Sequence, residues 1–483
     1  MKTMKKLLAL ATAMIMVFAM TITAFADDKK DFSITINNAN AGHTYEAYQI
    51  FSGSISDGVL SNIQWGTGVS EEGQAALGSA KDVAAGLDGA SSEDVKDFAN
   101  QVAEYLTTPT ASVTTVKGTN KIAGLSAGYY LVKDKDDTLS ESGESYTEYI
   151  LRVVSDVTVT PKADTTVVEK KVKDTNDTTG ATTDWQDSAD YDIGDVVPFQ
   201  LKATLADNVA SYDTYNVVFH DTLSKGLTYN KDYTITVDGN DVTDEFTATY
   251  EGTKLTFACA NVKKLGATNG SEIIVEYTAT LNNDAILGSA GNPNKVYLEF
   301  SNNPNHSGEG DNENGKTPED TVIVFTYKVV VNKVDENQEA LAGAEFTLEK
   351  KLADGKTKVI DVIKTEAGDV FTFKGLDDGD YVLTETVTPD GYNSIDPIEF
   401  TVTADHDILS DNPALKSLNG NVTTGEISFT ADKANGSLST TVMNQKGSTL
   451  PSTGGAGRVL IYVVGAILVL GAGVIIVARK RAR

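Results

Sequence analysis

Two strand-like segments carry charge on faces that are otherwise apolar. In VVVNKVD, alternation puts Val329, Val331 and Lys333 on one side, and in YVLTET it puts Tyr381, Leu383 and Glu385 on one side. A lone ammonium or carboxylate in a core is strongly disfavoured, so such faces ordinarily turn to solvent or pair their charges in a salt bridge. Other residues suited to chemistry are few. Cys259, the single cysteine, sits in the apolar stretch FACANV, which suits a buried inert thiol and leaves no internal disulfide. His43, His220, His306 and His406 stand in four segments with no Cys or Glu at ligand spacing beside them, so no metal centre is expected. The acidic stretches DTNDTTG and DNENGKTPED match no full calcium-loop spacing and read as solvated loops. No carboxylate pair stands out from the surface acids as a glycosidase pair would. Neither an enzyme nor a cofactor is expected.

The elements that hold these residues lie between two processing signals. The chain has 483 residues with 68 acids against 40 bases, a formal charge of −28 that argues against a nucleic-acid partner. Residues 1–26 start with Lys2, Lys5 and Lys6, run apolar from Leu7 to Phe25 and end in Ala24-Phe25-Ala26, the pattern of a secretory signal peptide cut after Ala26. At the other end, Val459 to Ala478 is an unbroken apolar run of transmembrane length, followed by a basic tail that would stay cytoplasmic. Directly before it stands Leu450-Pro451-Ser452-Thr453-Gly454. This composite resembles the cell-wall sorting signal of Gram-positive surface proteins. The resemblance implies that a sortase cleaves between Thr453 and Gly454 and hands the Thr acyl group to an amine. Pro451 keeps the peptide extended and Gly454 leaves room for the attacking thiolate. Removal of both ends takes away eight bases and no acid, so the mature chain sets 68 acids against 32 bases, a charge of −36.

The ectodomain reads as mainly β, with tandem immunoglobulin-like β-sandwich domains and a small helical insertion in the first. Its length suits roughly three domains of about 150 residues. The first, 27–162, opens and closes with strand-like segments around SSEDVKDFANQVAEYL, which predicts one helix capped by Ser91 or Ser92 with Val95, Phe98, Val102 and Leu106 on its apolar side. The second, 163–325, alternates through VVPFQLKATL, YNVVFHDTL, KLTFACANV, SEIIVEYTATL and NKVYLEFSN, with turn signals between, the pattern of an antiparallel sandwich. The third, 326–447, is again a series of short strands and leads straight into the 448–483 sorting signal.

NKVD, LAGAEFTL, YVLTETVTPDGY and VMNQKG resemble the Cna B-type domain of Gram-positive pilins, YVLTETVTPDGY looking like its E-box. The resemblance implies a spontaneous isopeptide bond between Lys333 and Asn444 beside Glu385. Burial would lower the lysine pKa to give a neutral amine and raise that of the glutamic acid, whose proton polarises the Asn carbonyl, while contact supplies the effective molarity. The second domain resembles the isopeptide-forming fimbrial domain through VEKKV, FHDTLSKGLTYN and NKVYLEF. This implies Lys170, Asp221 and Asn294, with Lys171 and Asn292 as alternatives to the first and last. RVVSDVTVTPKAD resembles the pilin motif and implies Lys162 as the intersubunit lysine, although Thr160 and Ala163 stand where Tyr and Asn are common.

Together these segments are similar to a sortase-assembled major pilin. The implied partners are a class C pilin sortase, a housekeeping sortase, identical subunits joined head to tail from Thr453 to Lys162, ancillary pilins and peptidoglycan, on the surface of a Gram-positive cell. The alternative is an ancillary pilin or a singly anchored adhesin that meets host surface ligands through its first domain.

Overall fold

The computed structural model describes residues 32–447 apart from 40, 57–58, 140–141, 154–155, 160–164 and 309. The described residues are mainly β, 52% strand against 10% helix. These residues pack as two compact units: one takes 32–176, Ala181–Thr326 and Asp405–Ser417, the other Asp177–Gly180, Tyr327–Ala404 and 418–447.

In the first unit, alternating apolar residues make two successive sandwiches. In the earlier one, Phe32–Ala39 lies between Gly118–Leu125 and Val157–Val159, facing a sheet in which Thr44–Ser56 pairs with Val59–Trp65, Ala111–Thr114 and Gly128–Asp134. Ile34, Ile36, Tyr45, Ile122, Tyr130 and Val132 fill the space between. The expected single helix is joined by two more: Glu71–Leu77, Ala80–Leu87 and Ser92–Ala103. The third starts on a full capping box. Ser91 accepts the Asp94 N–H while Asp94 accepts the Ser91 N–H, a reciprocal cap, and Phe98, Ala99 and Val102 face the core. The first two are seven and eight residues long and separated at Gly78 (φ 93°); Ser70 caps the first by accepting the Gly73 N–H, and Ala80, Val83, Ala84 and Leu87 share the core side of the second, but elements this short give little period to read.

The later sandwich sets one sheet, in the order Asn240–Asp241, Leu227–Val237, Glu272–Leu281, Val196–Thr204 and Val167–Val172, against another in which Val217–Leu223 lies between Asn292–Ser301 and Lys254–Cys259. Phe199, Leu201, Val217, Phe219, Phe257, Val275 and Leu298 are among its fully buried side chains. Cys259 is buried and unpaired in this core, and burial pushes its thiol pKa up, as expected of an inert cysteine.

In the second unit, Tyr327–Val334 runs between Val370–Leu376 and Ser437–Met443, antiparallel to the former and parallel to the latter, so first and last strands are neighbours. In the opposing sheet Glu345–Lys351 lies between Thr357–Lys364 and the central strand Gly379–Val387. Tyr327, Val329, Val331, Phe346, Leu348, Phe371, Phe373, Tyr381 and Leu383 are fully buried between them.

Candidate functional site

Strand alternation delivers a lysine into each of these two cores. On Val167–Val172 the buried face is Val168, Lys170 and Val172, and Lys170 is fully buried. Across the sandwich, Asp221 pairs in register with Val296 and Leu223 with Asn294, so Asp221 and Asn294 lie on adjacent strands and point the same way. The Lys170 ammonium contacts the Asp221 carboxylate directly and reaches the Tyr277 hydroxyl at 3.1 Å. Tyr277 donates to Asp221 Oδ2 at 3.0 Å and accepts from Asn294 Nδ2 at 2.7 Å, so one phenol touches all three groups. Phe199 and the Tyr277 ring close over the amine.

Burial pulls the Lys170 pKa down, more strongly than the Asp221 charge pulls it up, and it pushes Asp221 up against the opposing pull of Lys170. Both directions favour a neutral amine beside a neutral acid. Asp221 Oδ1 and Asn294 Oδ1, both buried, have no hydrogen-bond partner, so the carboxamide oxygen is open to polarisation. The neighbouring candidates are placed elsewhere. Lys171 is part-exposed and pairs with Asp187, and Asn292 is satisfied by the backbone of Ile286 and Val324.

In the second unit the parallel pairing sets Lys333 opposite Val442, and the Asn444 N–H donates to Val334 O at 3.0 Å, which brings Asn444 alongside the lysine. Lys333 and Asn444 are fully buried. Asn444 Nδ2 lies 2.9 Å from each oxygen of Glu385, whose Oε2 also accepts from Thr388 Oγ1 at 3.1 Å. Lys333 Nζ donates to the carbonyls of Val334 and Val442 at 3.2 and 3.3 Å. Burial, opposed by Glu385 and Asp335, brings its pKa down to about 8. Asn444 Oδ1 is again buried without a partner.

Sequence patterns did not single out Tyr277. Its signal was modest: Ile273, Val275, Tyr277 and Ala279 share the inward face of SEIIVEYTATL, so a hydroxyl had to enter the core there. Spacing also missed the histidines' carboxylates. His43 is buried between Asp134 at 3.0 Å and Glu144 at 3.4 Å. Burial lowers its pKa, but the Asp134 hydrogen bond and the two charges outweigh that and hold it above the ordinary value. His406 Nε2 lies 3.6 Å from Asp174. Lys162, the Leu450, Pro451, Ser452, Thr453 and Gly454 motif, the apolar run before the basic tail, and the Ala26 cleavage point lie outside the described residues.

Residues 193–304 match the family of Gram-positive pilin backbone subunit 2, a Cna-B-like domain. Residues 327–412 match the SpaA prealbumin-like fold domain, and residues 443–482 match the LPXTG cell wall anchor motif. Together these matches support a sortase-assembled major pilin. The anchor motif supports a cell-wall-anchored surface protein. The chain is 28% identical over 355 residues to the trypsin-resistant surface T6 protein of Streptococcus pyogenes serotype M6, covering 60% of this chain and 65% of that one. The solved T6 backbone pilin of the same organism has a similar fold, with TM-score 0.60, 19% identity, and coverage of 88% of this chain and all of that one. The full-length major pilin SpaD of Corynebacterium diphtheriae is similar at TM-score 0.52 and 17% identity, with 88% and 100% covered.

Proposed function

We propose that this pilin is the structural backbone subunit of a covalent surface pilus, hardened by two internal amide bonds. The observation that carries the reading is the repeated grouping of a fully buried lysine, a carboxyl and a buried asparagine in two separate cores, in a chain that ends in a wall-anchor motif. A core accepts such groups at a large desolvation penalty, and amide formation removes the charges permanently.

At each site the neutral lysine amine attacks Cγ of the asparagine. The Nζ–Cγ bond forms, the Cγ–Nδ2 bond breaks, and the carboxyl carries a proton from Nζ to the departing nitrogen, so one ammonia leaves. Asp221 fills that role for Lys170 and Asn294, and Glu385 for Lys333 and Asn444. Tyr277 holds the first set in line. Each reaction runs once per molecule, so the protein is a substrate of its own fold and not a turnover catalyst.

Assembly would use the ends of the subunit. Sortase holds Thr453 as an acyl group, Lys162 of the next subunit attacks it, and repetition of this head-to-tail contact gives a fibre rather than a closed ring. A housekeeping sortase then joins the last subunit to peptidoglycan. Immunoblots of cell-wall extracts should show a ladder of covalent multimers that the Lys162→Arg variant loses. An unchanged ladder in that variant would remove Lys162 from the account, and a single band in the parent strain would favour the singly anchored adhesin.

A further inference from the structure

Among the described residues three lysines are fully buried: Lys170, Lys333 and Lys350. The third has no part in the sites above. It lies on Glu345–Lys351, its Nζ contacts the buried Asp377 carboxylate, and it stands 3.4 Å from Asp177 Oδ2. The Tyr381 hydroxyl is 3.3 Å from Asp377 Oδ1, and the Tyr381 ring lies under the ammonium at 5.7 Å. Lysine, buried aspartate and tyrosine hydroxyl thus repeat the set made by Lys170, Asp221 and Tyr277. The fourth group, a carboxamide at Lys170, is a second carboxyl at Lys350.

Backbone contacts hold Asp177 in place. Its carbonyl accepts the Ala353 N–H at 2.9 Å, and next to it Thr178 Oγ1 donates to Lys351 O and accepts the Asp380 N–H, each at 2.9 Å. Gly379, at φ 146°, makes the space. A Cβ there would come within 2.8 Å of Thr178 Oγ1 and 3.0 Å of Lys350 Cε. The segment 177–180 is therefore seated over the lysine stem by its own backbone. Two carboxylates thus face one ammonium, Asp377 in direct contact and Asp177 at 3.4 Å.

We propose that Lys350 and Asp177 join in an amide bond. Nζ attacks Cγ of Asp177, the Nζ–Cγ bond forms and a Cγ–O bond breaks. Asp377 takes a proton from Nζ and delivers it to the leaving oxygen, so ammonium and carboxylate give an amide and one water, with no redox change. The bond deepens the proposed function and rests on the same buried-lysine chemistry, but it releases water where the other two release ammonia.

Tandem mass spectrometry of the full chain, denatured and digested, tests it without relying on a variant. The expected product is a peptide containing Lys350 joined to one containing Asp177, lighter than their sum by one water. Lys350→Arg and Asp177→Ala should each abolish it, while Asp177→Asn should keep the link and lose ammonia instead. Recovery of Lys350 in linear peptides, or its attachment to Asp377, would overturn the proposal. The Lys170–Asn294 and Lys333–Asn444 pairs in the same digest report separately on the two bonds of the proposed function.

Discussion

A single lysine shows how burial turns a structural liability into reactivity. Lys333 keeps its proton only below about pH 8 in the folded chain, against an ordinary 10.5. Between those values the unfolded chain binds the extra proton, so stability of the unreacted fold rises with pH across that window and is lowest, and flat, below it. An Asn444→Ala variant cannot form the bond and should show this dependence. Its stability deficit against the parent, measured by denaturant titration, should narrow from pH 8 to 10.5. In the parent, an amide nitrogen does not titrate there. A deficit independent of pH would mean that Lys333 is already solvated or that no bond forms in the parent. Much of this was legible in the sequence: alternation alone put Lys333 and Glu385 on inward faces, and resemblance supplied Asn444 as the third member. Tyr277 was not, because an aromatic residue in an apolar period looks like ordinary core until its hydroxyl is seen between Lys170, Asp221 and Asn294.

At the scale of elements, the important fact is which strands the lysines connect. Tyr327–Val334 and Ser437–Met443 are first and last in their sandwich, yet lie side by side in parallel register, and a bond from Lys333 to Asn444 closes the chain between them. The proposed bond from Lys170 to Asn294 would instead join the two facing sheets of the other sandwich. A cross-link closing a loop of this length adds roughly 4 to 5 kcal/mol in the chain-entropy treatment developed for disulfides. Asp221→Ala should therefore leave the fold intact by circular dichroism, prevent ammonia loss at Lys170, and lower unfolding free energy by about that amount. Unchanged stability in the variant would mean that the bond is absent in the parent. Strands were the easy part of the sequence, because period two with Gly and Asn turns is a strong signal. The helices were harder: one reciprocal cap at Ser91 marked Ser92–Ala103, while the two before it are only seven and eight residues long, so the Ser70 cap of the first and the Ala80, Val83, Ala84 and Leu87 stripe of the second are short signals.

For the whole molecule, the acidic charge and the near absence of cysteine fit one design. With both ends removed the subunit would carry −36, a charge that favours solubility, and with one cysteine any covalent reinforcement would fall to the proposed lysine–asparagine bonds. The adhesin alternative shares the anchor and the sandwiches, so assembly through Lys162 separates the two. The internal bonds are the claim on which the structural account rests, and intact-mass spectrometry of the folded ectodomain, residues 27–449, tests it most directly. The account predicts a mass below the sequence value by two molecules of ammonia, and by one further water with the Lys350–Asp177 amide in place. A mass equal to the sequence value would contradict it.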